Sequence, residues 1–180
     1  MNSGLLASRY ASALERYSCE QGQSGECYAD ARQLLALIPS IEEYLRKPLP
    51  AETKTEILSR ALPGRCDSFG RFLLLVVSHR REMYLRRILQ SYIAEYKKAR
   101  GIADGRLKVA SEPSEELLEK LRKLTLASCG ATSVDIEVTV DPDIIGGFVY
   151  TVADKRLDAS VRRQLSELRK AFETNNKRII

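Results

Sequence analysis

One histidine, His79, and four cysteines with no CxxC spacing give this chain almost no ligands for a zinc site. The same shortage removes the second imidazole of a metal pair and any obvious catalytic triad. No apolar run approaches the roughly 18 residues that a membrane-spanning helix needs, and the longest candidate is Phe72 to Val77. Any membrane association is therefore expected to be indirect. At the N-terminus there is no basic segment followed by a continuous apolar core and a small-residue cleavage site, which argues against secretion. The acid-free, Ser- and Ala-containing stretch up to Leu14 has some transit-peptide character, but its apolar spacing continues into Tyr17, and a helix is the better reading. Cys19, Cys27, Cys66 and Cys129 leave a Cys19–Cys27 bridge open, beside the favoured reading of buried or half-buried free thiols in a reduced, cytosolic setting.

What is present is an ordinary foldable composition. The chain has 180 residues, 44% hydrophobic and 29% charged, enough for one domain or two small ones. A net charge of +5 permits nucleic acid or an anionic surface as partner but does not require either. Basic residues are interleaved with acids, as in Glu115, Glu116, Lys120, Arg122 and Lys123, which is the pattern of a solvated helix face. Only Arg80, Arg81, Arg86, Arg87, Lys97, Lys98 and Arg100 gather into a basic stripe, with no RNP-like strand, zinc finger or GXXG loop to add readout.

The first hundred residues read as about six helices in an antiparallel bundle. Leu6, Tyr10, Ala13, Leu14 and Tyr17 form one helical stripe ending near Gly22 and Gly25. A second segment, Glu26 to Ile38, is expected to stop at Pro39, and Ser40 to cap a third carrying Ile41, Tyr44 and Leu45 before Pro48 and Pro50. Ala51 to Leu62 follows, then an apolar helix capped by Asp67 or Ser68 and running through Val77. Leu85, Ile88, Leu89, Tyr92 and Tyr96 give the expected longest helix, closing on Gly101.

Between Gly101 and Gly105 the pattern changes, which places a helical domain at 1–101 and a small mixed α/β domain at 102–180, an α+β chain overall. Leu107 and Val109 suggest a short strand, and Ser114 opens a helix with Leu117, Leu118, Leu121 and Leu124. Val134, Ile136, Val138 and Val140 alternate with polar residues at strand period, as do Phe148, Tyr150 and Val152. Asp154 and Lys155 read as a turn, and Val161, Leu165, Leu168 and Phe172 as the stripe of a final amphipathic helix.

Candidate chemistry is thin. Asp141, Asp143, Asp154 and Asp158 offer oxygens to a divalent cation, yet their spacing matches no EF-hand loop. Ending a strand (Asp141), serving a turn (Asp154) and capping the last helix (Asp158) account for them more simply. Gly146 and Gly147 precede a strand instead of the Gly-Lys-Ser/Thr and helix of a phosphate loop, so a bulge or a close-packing point is expected. Neither a cofactor nor a metal is expected, and no active site. The readings that compete are a basic nucleic-acid-binding protein and a metal-dependent enzyme using the Asp141–Asp158 cluster.

Val140-Asp141-Pro142-Asp143-Ile144-Ile145-Gly146-Gly147-Phe148, continued by Lys155-Arg156-Leu157-Asp158-Ala159-Ser160-Val161-Arg162-Arg163-Gln164-Leu165-Ser166-Glu167-Leu168, resembles the C-terminal signature of the F-type ATP synthase delta subunits and of their mitochondrial counterpart, the oligomycin sensitivity-conferring protein. The chain departs at Ala159, where Gly is usual, and at Asp143, where Ser is common. Ala7-Ser8-Arg9-Tyr10-Ala11-Ser12-Ala13-Leu14 is similar to that family's opening, and Phe72 to Val76 with Arg80, Arg81 and Leu85 to its fifth-to-sixth helix passage, so the likeness spans nearly the whole chain.

The resemblance implies a non-catalytic peripheral-stalk subunit linking the catalytic head to the membrane sector, with membrane association only through the complex and a place on the cytoplasmic face of a bacterial membrane. It implies that Ala7, Tyr10, Ala11, Leu14, Phe72, Leu75 and Val76 meet the N-terminal helices of the alpha subunits, the small residues making a groove. The C-terminal domain would meet the ends of the b subunits around Gly146, Gly147 and the last helix. Asp141, Gly146, Gly147, Asp158 and Ser160 would be structural residues of the signature, and no nucleic acid would be a partner.

Overall fold

The computed structural model describes residues 3–176, with side-chain surroundings from 4 to 169. Phe172, expected on the final stripe, lies outside that second range. The chain divides into two compact units, Met1–Ala99 and Arg100–Ile180.

Unit 1 is built from α1 (Ser3–Glu20), α2 (Ser24–Arg46), α3 (Ala51–Ala61), α4 (Asp67–Ser78) and α5 (Leu85–Ala99), with a 3-10 turn at Glu82–Tyr84 leading into α5. The expected stop at Pro39 does not occur. Instead α2 runs 23 residues through the proline, so the second and third expected helices are one, and α2 rather than α5 is the longest. Proline removes one N–H and crowds the preceding turn, but Ala31, Leu34, Ile38 and Leu45 carry one buried stripe across the break. Tertiary burial outweighs the local penalty. At the start of α4 the cap residue is Cys66, not Asp67 or Ser68. Its own N–H is held by Asp30 Oδ2 at 2.9 Å, while its side chain makes no capping bond.

Solid apolar sequence forces a choice in α4. Six consecutive apolar residues cannot all face inward on a helix of 3.6 residues per turn. Phe72, Leu73, Val76 and Val77 are buried, whereas Leu74 and Leu75 stand about half exposed at 50% and 46%. The helix ends with Arg80 in the left-handed region (φ 54°), and Arg81 N–H returns to the Val76 carbonyl at 3.0 Å.

Polar pairs pin this unit together. Lys54 of α3 reaches Glu82 of the 3-10 turn as an ion pair whose side chains are 9% and 11% exposed. Ser12 Oγ of α1 donates to the Glu95 carboxylate of α5 at 2.8 Å, and Tyr28 of α2 stacks on Tyr96 of α5 with ring centroids 4.1 Å apart.

Unit 2 contains β1 (Ile102–Val109), α6 (Glu115–Cys129), β2 (Ser133–Val140), β3 (Phe148–Val152), β4 (Lys155–Asp158) and α7 (Val161–Asn176). Residues 102–105, where the helical pattern breaks, form the first half of β1, a longer strand than Leu107 and Val109 alone suggest. Strand order is β2-β1-β3-β4, with β1 and β2 parallel and the other pairs antiparallel. The parallel pair requires a crossover, and α6 supplies it, started by Ser114 Oγ accepting from Leu117 N–H and ended by Gly130 at φ 62°. One sheet face carries Leu107, Val109, Tyr150 and Val152, which bury Leu121 of α6. Thr125 and Tyr150 close this core with a buried hydroxyl pair at 2.7 Å.

Candidate partner-binding surfaces

Five of the seven residues expected to grip a partner helix lie in the core of unit 1: Ala7, Ala11, Leu14, Phe72 and Val76 are buried. The small residues of α1 therefore serve close packing within the bundle, and they do not line an open groove. Tyr10 is half-buried. Its ring meets Phe72 edge-on at 6.3 Å, its hydroxyl lies 2.8 Å from His79 Nδ1, and Arg81 Nη1 donates to it at 3.2 Å with the guanidinium over the ring. His79 and Arg81 are thereby engaged with Tyr10.

Of the seven, Leu75 is exposed, and beside it α4 also presents Leu74 and α1 presents Leu5 to solvent, two residues outside the expected set. The signal for Leu74 was available in the unbroken run 72–77, too long for one buried face. Leu74 also enters a groove of about 500 Å³ between α3 and α4, with Ala51, Thr55 and Val77 as further walls and Glu52 and Glu56 among its lining.

In unit 2 the two halves of the signature lie against each other. Ala159 N–H donates to the Phe148 carbonyl at 2.9 Å, and Val161 N–H to the Gly146 carbonyl at 3.0 Å. Gly147 has φ 77°, and a Cβ there would sit 2.2 Å from the Ala159 carbonyl oxygen; a Cβ on Gly146 would touch Val161 at 3.0 Å. Only glycine allows this approach at 147.

The aspartates are engaged separately. Asp141 accepts from Asp143 N–H at 3.2 Å, capping the 3-10 turn Pro142–Ile144, and faces Lys108 Nζ at 3.4 Å. Asp158 does not itself cap α7. It accepts from Ser160 N–H and Oγ (3.2 and 2.7 Å), and Ser160 Oγ accepts from Arg163 N–H at 3.3 Å, so Ser160 is the cap and Asp158 its support. These Ser160 bonds, with Arg156 beside them, hold the Asp158 carboxyl below its ordinary range. Asp154 sits in the β3–β4 turn. Among the described residues no three His, Cys, Asp or Glu side chains converge on one point.

The sheet face opposite α6 forms with α7 a cleft of about 710 Å³ lined by Arg106, Lys108, Arg156, Arg162 and Arg163. Three of its carboxylates are matched within it: Asp141 by Lys108, Asp158 by Arg156, and Glu167 by Arg163 at 2.8 Å. Beyond the cleft, α7 turns an apolar stripe to solvent, with Leu165 and Leu168 exposed at 53% and 55% and Val161 at its start. An amphipathic helix with its apolar side uncovered is a surface for another chain.

Each unit presents exposed apolar helix residues, Leu74 and Leu75 on α4 and Leu165 and Leu168 on α7. Residues 6–172 match the family described as ATP synthase delta (OSCP) subunit. The ATP synthase subunit delta of Phocaeicola vulgatus is 33% identical over 98% of both chains, and that of Bacteroides thetaiotaomicron 32% over the full length of both. A solved chain in the cryo-EM structure of the Toxoplasma gondii mitochondrial ATP synthase hexamer shares the fold, with a TM-score of 0.68 at 20% identity, covering 93% of this chain and 97% of that one. The chain belongs to the ATP synthase delta (OSCP) subunit family. It is a non-catalytic subunit of the peripheral stalk and a peripheral part of a membrane-bound complex. No helix among the described residues is long and apolar enough to cross a membrane.

Proposed function

We propose that unit 1 holds the N-terminal helices of the alpha subunits on the outer faces of α1 and α4, and that unit 2 holds the ends of the b subunits on α7. This division of labour would place the chain on the cytoplasmic side of a bacterial membrane, bridging the head and the stalk filaments. Torque from the turning rotor then passes through the subunit as a static load, which calls for two firm contacts and no chemistry.

The observation that carries the reading is the uncovered stripe of α7, where Val161, Leu165 and Leu168 face solvent in a helix with otherwise polar composition. Leu74 and Leu75 are its counterpart in unit 1. Helix-in-groove recognition uses anchors of this type, and removing one buried anchor costs about tenfold or more in affinity.

Leu75→Asp and Leu165→Asp test the assignment, because both side chains are exposed and neither supports the core. With titration calorimetry, Leu75→Asp is expected to weaken an alpha N-terminal peptide about tenfold or more while sparing the b C-terminal segment, and Leu165→Asp to do the reverse. Unchanged affinities, or losses on the opposite partners, would defeat the assignment.

A further inference from the structure

Cys27 and Cys66 meet inside unit 1 with their Sγ atoms 3.0 Å apart. Both side chains are buried and both thiols are free. The Cys19–Cys27 bridge that the sequence left open is not formed: both thiols are free, and Cys27 faces Cys66 instead. Groups other than the sulfurs set this meeting. Gln23 Oε1, just before α2, accepts from Ser68 N–H and Oγ at 3.3 and 2.7 Å, and Asp30 Oδ2, nearly one turn beyond Cys27, accepts from Cys66 N–H at 2.9 Å. These two anchors bracket the thiols and clamp the start of α2 to the start of α4. A disulfide requires sulfurs about 2.05 Å apart, so a small closure is all that separates the dithiol from a bond.

We propose that Cys27 and Cys66 are an oxidative modification site, forming a reversible intramolecular disulfide that staples α2 to the N-terminus of α4. Hydrogen peroxide is the oxidant. Cys66, at the cap of α4 and the less enclosed of the two at 8% exposed against 0% for Cys27, supplies the first thiolate. Its sulfur attacks one peroxide oxygen, breaks the O–O bond and becomes a sulfenic acid, and the departing hydroxide takes a proton to leave as water. The Cys27 sulfur then attacks the Cys66 sulfur and expels its oxygen as a second water. Each cysteine gives up one electron and one proton, and the peroxide receives two of each.

Burial comes first in holding both thiols above the ordinary range, with Glu26 and Asp30 of α2 adding negative charge near Cys27 and Tyr92 of α5 also nearby. Thiolate is therefore scarce at neutral pH, and oxidation is slow there and faster in mild base. The bond links two cysteines 39 positions apart. Such a closure restricts the unfolded chain and is expected to raise the melting temperature of unit 1 by roughly 10 °C.

The test uses the full chain with Cys19→Ser and Cys129→Ser, which remove the two exposed thiols. After peroxide treatment at mildly alkaline pH, intact mass is expected to fall by two hydrogen atoms. Peptide mapping is expected to return a Cys27–Cys66 link, and dithiothreitol to restore both mass and melting temperature. Adding Cys66→Ser should abolish the link; if that variant does not fold, the map of the parent decides. Oxygen addition without a link overturns the proposal. So does failure to link under conditions where the same chain, unfolded in guanidinium, links readily.

Discussion

Unit 1 and unit 2 solve the burial problem to different degrees. Among the described residues the helical unit closes one cluster of 21 buried apolar side chains, from Leu6 to Tyr92. The mixed unit gathers five in its central cluster, Leu107, Val109, Leu121, Tyr150 and Val152, and leaves α7 with an exposed stripe. Covering a Leu fully is worth about 1.5–3 kcal/mol, so the partner proposed for α7 would supply unit 2 with stabilisation that unit 1 already has. The contrast teaches that the bundle is a finished fold with a few spare anchors. The α/β unit leaves Leu165 and Leu168 of α7 uncovered, the side chains that the proposed partner would cover.

The largest effect is expected where unit 2 has least room. Gly147→Ala brings a methyl to 2.2 Å from the Ala159 carbonyl oxygen at a positive φ, and relief requires prising the two halves of the signature apart. A loss of about 4 kcal/mol is expected, at the high end for a single substitution. Hydrogen exchange should show β1 and β3 amides losing protection while α1 and α5 keep theirs. Equal loss in both units would break the comparison, because it would mean that the units share one folding transition.

Lys54→Ala is the corresponding probe of unit 1. It strands the Glu82 carboxylate, only 11% exposed, without its cation. Breaking one side of a buried pair costs about 3 kcal/mol, read as a lower denaturation midpoint followed on helical amides of α3 and α5. Replacing both partners, Lys54→Met with Glu82→Leu, is expected to recover most of that loss. A double variant as unstable as Lys54→Ala would show that the site depends on the charges and not on filling the space.

How far these features could be read beforehand depends on whether the cause is local. Ser114, Gly130 and the leucines of α6 are local signals, and the helix begins and ends where they say. Pro39 is a local signal too, but it loses to a stripe of burial that spans 23 residues of α2. Residues 102–105 carry no strand period, and they become strand because β2 and β3 offer them partners distant in sequence. For the binding surfaces the limit is sharper. Periodicity shows which side of α1 or α4 is apolar, but not whether the chain itself or a partner covers it, and in the free chain Ala7 and Phe72, which the resemblance puts at a partner contact, are covered by the bundle itself. Likewise Asp158 and Ser160 are both good capping residues two positions apart, and only the geometry separates cap from support.

The smallest expected effect concerns the start of α7, the helix on which the incompleteness of unit 2 rests. Asp158 has its folded-state pKa lowered from the ordinary 3.8, first by the two Ser160 hydrogen bonds and then by Arg156. A depressed carboxylate contributes stability that is present above the unfolded value and disappears as pH falls through the folded value. The loss is therefore confined to pH below about 4, and neutral-pH stability should not respond to small changes in acidity. NMR titration is expected to place the Asp158 carboxyl inflection below 3.8, with the Ser160 and Arg163 amide shifts moving at the same pH as the cap loosens. Asp158→Asn removes the titration while leaving an oxygen to accept from Ser160, so those amide shifts should become flat across the window. Amide shifts that still move in Asp158→Asn would assign the acid response to another group, and Asp158 would then not be the support of the Ser160 cap.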